Sequence, residues 1–151
     1  MRIGVISDTH SLLRPWAVEQ LTGCDAIIHA GDIGSPQIVD ELRAIAPLTV
    51  IRGNIDKWAR ELPDIEAVEL GGVYFYVLHD LQTLDLDPAA AGFDVIVSGH
   101  SHKPRIDHRE GVLFLNPGSA GPRRFSLPIA LAIVTIDGNN ANADIIEFDG
   151  S

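Results

Sequence analysis

Short apolar runs alternate with polar segments through the first two thirds of the chain, and several of those runs end on a small cluster of Asp, Asn or His. Residues 2–7 (RIGVIS), 25–30 (DAIIHA) and 48–52 (LTVIR) are nearly continuous apolar stretches, the pattern of strands covered on both faces. Pro15 suits the first turn of a helix reaching about residue 22, with Gly23 to end it. Ser35-Pro36 opens a second helix with Ile38, Val39, Leu42 and Ile45 at helical spacing, and Pro47 closes it. This βαβαβ order predicts parallel strands joined by right-handed crossovers.

Beyond residue 60 the pattern turns to hairpins. Residues 65–70 and 73–79 flank Gly71-Gly72, and 105–109 and 112–115 flank Glu110-Gly111. Residues 129–136 and 143–148 flank the turn-rich Asp137-Gly138-Asn139-Asn140. Between the first two hairpins lie a short helical or irregular piece over 85–92 and a buried strand over 94–98 (DVIVS). Two sheets packed face to face with helices outside would accommodate both halves, in an α/β fold. The length of 151 residues predicts one domain over 1–151. At that size a fold buries about 68–70% of the surface its unfolded chain exposes, enough to need no disulfide or structural metal.

Cys24 is the only cysteine, so the sequence offers no disulfide framework and no cysteine-rich zinc site. The apolar runs are too short for a membrane span, and the N-terminus enters a strand pattern without the features of a signal peptide. A cytoplasmic protein is expected. The formal charge is −10, from 21 acidic and 11 basic residues. That argues against non-specific nucleic-acid binding, which needs clustered Lys and Arg. It leaves room for a phosphorylated substrate, because bound cations invert the local charge.

The candidate chemistry lies at the strand ends: Asp8-Thr9-His10, Gly31-Asp32, Gly53-Asn54-Ile55-Asp56, His79-Asp80 and Gly99-His100-Ser101-His102. Strand ends of α/β folds are where sites gather, and Asp, Asn and His are ligand types for divalent metals. Asp8 with His10, and His100 with His102, are two apart, and in an extended segment such residues point the same way. Asp32 follows the second strand and suits a bridge, one carboxylate oxygen to each of two ions. Asn54 adds an amide oxygen and His79 another imidazole. Each fragment alone is also an ordinary turn, cap or structural histidine. Their conjunction is the signal: the fragments follow predicted strands and take four of the six histidines. His29, inside a strand, reads as a buried group, and His108 as a solvated one. Asn116-Pro117-Gly118-Ser119 reads as a turn behind the His100–His102 loop.

These residues resemble the calcineurin-like metallophosphoesterase superfamily. The order Asp-x-His, Gly-Asp, Gly-Asn-x-Asp, His, Gly-His-x-His is similar to its signature. Ser-Asp-Thr-His at 7–10, Leu-Leu-Arg-Pro at 12–15, His-Ala-Gly-Asp-Ile at 29–33, Gly-His-Ser-His-Lys-Pro at 99–104 and Asn-Pro-Gly-Ser at 116–119 look like its small single-domain bacterial and archaeal phosphodiesterase branch, the YfcE family. The resemblance implies a four-layer α/β/β/α sandwich with two mixed sheets. It implies one ion on Asp8, His10, Asp32 and His102 and another on Asp32, Asn54, His79 and His100. Manganese would be the first choice of metal, with iron, zinc, nickel and cobalt as alternatives. Relatives are often dimers or tetramers, so a homo-oligomer is an expectation of the resemblance too.

The implied activity is hydrolysis of a phosphate ester, most naturally a diester, with in-line attack by a water-derived hydroxide shared by two ions roughly 3.5–4 Å apart. Asp32, Asn54 and His79 would carry the catalytic roles: Asp32 as bridge, and Asn54 and imidazole N–H groups against developing charge. Asp56 reads either as a partner that orients a ligand histidine or as a turn residue. Some branches carry a leaving-group histidine where this chain has Ile55, and many relatives carry a Gly-His pair where it has Asp80-Leu81. Position 11, often glycine, is Ser11. Arg14, Arg123 and Arg124 read as phosphate contacts or as surface charges. Two alternatives stand beside the diesterase: a non-catalytic scaffold of the same fold, as in the eukaryotic retromer subunit, and a phosphomonoesterase or phosphoprotein phosphatase. The expected partner is a small phosphorylated molecule, with neither nucleic acid nor membrane.

Overall fold

A computed structural model describes residues 1–150. The elements follow the apolar pattern closely. Strands β1 (Arg2–Ile6), β2 (Ala26–His29) and β3 (Leu48–Val50) alternate with helices α1 (Pro15–Leu21) and α2 (Pro36–Ile45). Each helix begins on a proline, whose fixed φ suits a first turn and whose missing N–H would have had no helical partner there. Then come β4 (Ile65–Leu70), β5 (Val73–Leu78), a 3-10 turn over Leu81–Thr83, the one-turn helix α3 (Pro88–Ala91), β6 (Val95–Val97), β7 (Arg105–Arg109), β8 (Val112–Asn116), β9 (Ala130–Asp137) and β10 (Asn140–Glu147).

Two five-stranded mixed sheets result, ordered β10-β9-β1-β2-β3 and β4-β5-β6-β8-β7. The expected parallel pairing of β1 with β2 and of β2 with β3 is present, as are the three hairpins. The last hairpin joins the first sheet, β9 running antiparallel to β1. In the second sheet β5, β6 and β8 are parallel. The sheets stack over a dry layer that includes Ile3, Val5 and Ile28 from one and Phe75, Val77, Val97 and Leu115 from the other. Phe75 is fully buried there, and Phe75→Ala would cost about 3–5 kcal/mol by removing contact and leaving a cavity.

The four-layer sandwich is therefore present, but its two outer layers are unequal. Helices α1 and α2 cover the outer face of the first sheet through Ala17, Leu21, Ile38, Val39 and Leu42. Over the second sheet lie Leu81 of the 3-10 turn and Leu84, Leu86 and Phe93 from the segments flanking that turn and α3, packed on Tyr76, Leu78, Ile96 and Val112. This outer apolar layer reaches β8 through Val112 and Phe114, and no residue of the edge strand β7 takes part in it. Among the described residues no helix is long and apolar enough to cross a membrane.

Candidate metal centre

The candidate clusters follow β1, β2, β3, β5 and β6, and cross-links bring these ends to one place. Asp8 N–H donates to Gly31 carbonyl (3.0 Å) and His10 N–H to Asp32 carbonyl (3.0 Å), which sets the first two loops side by side. Gly99 N–H donates to the His79 carbonyl (3.0 Å) within the second sheet. Bonds between the sheets complete the site: His79 Nδ1 donates to the Ala30 carbonyl (2.7 Å), and His100 N–H donates to Asp8 Oδ2 (3.0 Å).

The approach is close enough to demand glycine at two points. A Cβ on Gly53 would overlap the Asp32 carboxylate and backbone nitrogen, and one on Gly99 would overlap Ser7 Oγ and stand 2.6 Å from Asp8 Oδ2. Asp8, His10, Asp32, His100 and His102 themselves hold left-handed backbone, with φ of 55°, 45°, 57°, 70° and 62°. The expected extended geometry at Asp8–His10 and His100–His102 is thus not what aims these side chains. The first of these loops follows the hydrogen-bonding groups of its neighbour, and its backbone is bent to do so. Such conformations cost free energy and gather at functional sites.

Asp8 is fully buried and Asp32 nearly so. Asp8 Oδ2 accepts from Ser7 Oγ (2.7 Å) and from His100 N–H, while Oδ1 has no hydrogen-bond partner. Facing Oδ1 are His102 Nε2 at 3.4 Å, His10 Nε2 at 3.8 Å and His79 Nε2 at 4.0 Å. Asp32 Oδ2 lies 3.3 Å from His79 Nε2 and 3.6 Å from His10 Nε2. The donor atoms fall into two groups, Asp8–His10–His102 and Asp8–Asp32–His79, each spanning no more than 4.8 Å. The Nε2 atoms of His10 and His79 are buried without hydrogen bonds. Ligands that each sit about 2.1 Å from one ion lie roughly 3–4 Å from each other, the spacing observed.

Asp32 differs from the expectation of one oxygen per ion. Its Oδ1 accepts from Ile55 N–H (3.2 Å), and Oδ2 alone faces both imidazoles. Asp8, rather than Asp32, is common to the two groups. His100 stands outside both groups, its side chain 45% exposed, its ring edge-on to His79 at 5.2 Å and its Nε2 4.0 Å from Asp80 Oδ2. Asn54 is on the exposed rim, held through Gly53 and Ile55, whose backbone lies against Asp32.

Burial alone would raise the Asp8 carboxyl, but His10, His102 and Ser7, with the charge of His79, outweigh it and hold the group far below the ordinary carboxylate range. Burial would likewise raise Asp32; His79 and the Ile55 N–H reverse that and lower it. Burial opposes a charged His79, yet Asp32 and the Ala30 carbonyl together raise it. Two buried carboxylates among imidazoles, with neither Lys nor Arg paired to them among the described residues, is a donor set that wants a cation. Oxygen and imidazole without thiolate suits several divalent metals. The residues present therefore fit the metal that the fold implies.

The supporting residues are only partly those expected. Asp56, buried, makes no hydrogen bond to a histidine among the described residues. It accepts from Ile33 N–H (3.0 Å), Gly34 N–H (3.0 Å) and Gly53 N–H (2.8 Å), and so clamps the Asp32 loop to the Asn54 loop. Asn116 Nδ2 donates to the Gly99 carbonyl (2.9 Å) and Ser101 Oγ (3.1 Å), and Ser119 Oγ donates to the Asp8 carbonyl (2.9 Å), so that turn carries both loops. His29 is fully buried: its Nδ1 accepts from Gly31 N–H (3.0 Å), which leaves Nε2–H to donate to Thr9 Oγ1 (3.1 Å). Burial holds it neutral, with its pKa lowered to about 4. Arg14 turns to the Gly121 carbonyl and the Phe148 ring. Asp80 caps the 3-10 turn by accepting from Gln82 N–H (3.0 Å). Ser7 enters the sequence reading only within Ser-Asp-Thr-His at 7–10; a serine closing an apolar run before Asp8 carries no local signal of the bond it makes to that carboxylate.

The family profile described as the calcineurin-like phosphoesterase superfamily domain matches residues 1–139. A probable metallophosphoesterase of Methanothermobacter thermautotrophicus is 38% identical over 159 aligned positions, covering 97% of this chain and 92% of its own. A phosphodiesterase of Methanocaldococcus jannaschii is 26% identical, covering 78% of this chain and 83% of its own. Among solved structures, one described as a novel archaeal phosphodiesterase superposes with a TM-score of 0.80 at 23% identity, over 97% of this chain and all of its own. Vps29 of Chaetomium thermophilum superposes with a TM-score of 0.80 at 19% identity, over 98% of this chain and 95% of its own. The structural likenesses are likenesses of fold; the sequence matches carry the family, and the chain belongs to the calcineurin-like phosphoesterase superfamily.

Proposed function

We propose that this protein is a phosphodiesterase that works with two divalent metal ions, held by Asp8, His10, Asp32, Asn54, His79, His100 and His102. The observation that carries the reading is the trio of buried atoms without hydrogen bonds, Asp8 Oδ1, His10 Nε2 and His79 Nε2, gathered in one place. Manganese is the first metal to test, with iron, zinc, nickel and cobalt beside it. When bound, such ions supply a water nucleophile at neutral pH and neutralise charge on phosphoryl oxygens.

The chain's own part is to hold, orient and exclude. The Ala30 carbonyl fixes the Nδ1 proton of His79 and turns Nε2 inward with its lone pair available once deprotonated. Ser7 and the His100 N–H occupy Asp8 Oδ2, which leaves Oδ1 for coordination. Asp32 would help to hold both ions, since its Oδ2 faces His10 Nε2 and His79 Nε2. Asn54 and His100, on the exposed side, would complete the ligand set where phosphate oxygens enter. Ile55 is 44% exposed and has no proton to give, so the leaving group departs without an acid from that position.

The decisive measurement is a matrix of divalent metals against a diester, a monoester and a phosphopeptide, on protein stripped of metal, with metal content by elemental analysis. Two equivalents of metal and fastest turnover of the diester are expected. Asp32→Ala should lose both metal and hydrolysis; retained activity there would remove the bridging role. Inertness of the folded wild type with every metal would leave the scaffold reading in its place.

A further inference from the structure

Beside the centre, between the 3-10 turn at Leu81–Thr83 and strands β7 and β8, is a cavity of about 440 Å³. His100 and Asp80 form its edge toward the metal ligands, and Lys103, Arg105 and Arg109 line it over the ring of Phe114. The volume lies within the range of small-molecule sites. Three of the chain's 11 basic residues meet here, on a protein of net charge −10.

The cations are organised by the strand. On β7 the side chains of Arg105, Asp107 and Arg109 share one face, because strand side chains alternate. Asp107 Oδ2 lies 2.9 Å from Arg109 Nε and 3.4 Å from Arg105 Nη2, so one carboxylate orders two guanidinium groups and neutralises only one. The Arg109 guanidinium also sits over the Phe114 ring, 4.8 Å from its centre. Lys103 is fixed at the mouth by its N–H, which donates to Ser101 Oγ (3.2 Å). The excess charge is positive, and it stands next to a place proposed to hold a phosphoryl group. Guanidinium forks and an ammonium group are the usual donors to phosphate oxygens.

We infer that this cavity is a second anion subsite, and that the preferred substrate is a phosphate ester carrying another phosphate, bound by Lys103 and Arg105 with Arg109 behind them. The inference rests on the phosphoesterase reading and names the substrate class for it. The apolar floor at Phe114 accepts the part of the molecule that links the two phosphates. In a chain whose overall field repels anions, this patch also favours substrates long enough to reach both positive places.

The test compares the p-nitrophenyl ester of thymidine 5′-phosphate with the same ester bearing a 3′-phosphate, on metal-loaded protein and on Lys103→Gln/Arg105→Gln. Both residues are exposed, so the fold should tolerate the change. Wild type should prefer the 3′-phosphorylated ester, and the ratio of the two kcat/KM values should fall about tenfold in the variant, as for loss of one charge-assisted contact. An unchanged ratio overturns the subsite while leaving the hydrolase intact. Binding of thymidine 3′,5′-bisphosphate to metal-free protein, followed by amide NMR shifts, decides the matter without turnover. Shifts at 103–109 and an affinity about tenfold weaker in the variant support the subsite; equal affinity in the two proteins overturns it. Failure of wild type to cleave either ester with any metal would defeat the phosphodiesterase reading alone.

Discussion

His79 Nδ1 and the Ala30 carbonyl oxygen, 2.7 Å apart, tie the end of one sheet to the end of the other. That bond keeps one ring proton on Nδ1, so any proton exchange at His79 takes place on Nε2, beside Asp32. With the group raised by Asp32 and the Ala30 carbonyl against the effect of burial, an arriving metal displaces a proton. Affinity for manganese or zinc should therefore weaken as pH falls from 8 to 5, with proton release visible as a dependence of calorimetric enthalpy on buffer. Affinity independent of pH across that range would contradict the assignment of His79 as a ligand.

Asp56 gives a stability prediction separate from metal. Asp56→Ala removes the acceptor for three backbone N–H groups on two loops. A loss of roughly 2–4 kcal/mol is expected in urea unfolding of the metal-free protein. Asp56→Asn, which keeps one oxygen, should lose less. A change within about 0.5 kcal/mol for the alanine variant would mean that the clamp is unimportant to folding.

His29 sets a pH dependence. Its folded pKa is lowered to about 4 from 6.5, so between those values the unfolded chain binds more protons than the folded one. Its contribution is complete above pH 6.5, falls as pH drops through that window, and amounts to on the order of 3 kcal/mol. The lowered Asp8 and Asp32 act below their ordinary value of 3.8, and the raised His79 acts above 6.5, so the window belongs to His29. Urea midpoints of metal-free protein should decline from pH 7 to pH 4.5, and His29→Gln should flatten that slope. An equally steep slope in the variant would assign it elsewhere.

Ile55 predicts a sharp dependence on the leaving group. Nitrophenyl diesters should turn over faster than alkyl diesters by several orders of magnitude in kcat/KM, with chemistry limiting. Ile55→His should help the alkyl ester more than the nitrophenyl one. Equal gains on both would show that position 55 acts by packing, not by proton transfer.

The sequence made the ends of β1, β2, β3, β5 and β6 visible because apolar runs and polar clusters are local signals, as are the Gly71-Gly72 and Asp137–Asn140 turns. What it did not disclose depends on pairing across the chain. Nothing near residues 130–147 says that β9 lies against β1, since that register couples segments more than 125 residues apart. The i, i+2 spacing of Asp8 and His10 suggested extended chain, whereas contact with the Asp32 loop imposes the left-handed backbone. Asp56 looked like a local turn residue, and its reach to Ile33 and Gly34 required knowing that two loops meet. The basic face of β7 was hidden for the same reason, as its alternation gains meaning only once the outer layer is seen to stop short of it.

Left-handed backbone at Asp8, His10, Asp32, His100 and His102 also constrains how this lineage can drift. Among residues with side chains, Asn, Asp and His enter that region at the lowest cost, and glycine enters it freely. Conformation and coordination thus favour much the same short alphabet at the same positions. A descendant that abandoned metal would be expected to move there to asparagine or glycine, losing donor strength while keeping the loops in place. The pattern of replacement at those positions, compared across relatives, would then separate selection for a fold from selection for a catalyst.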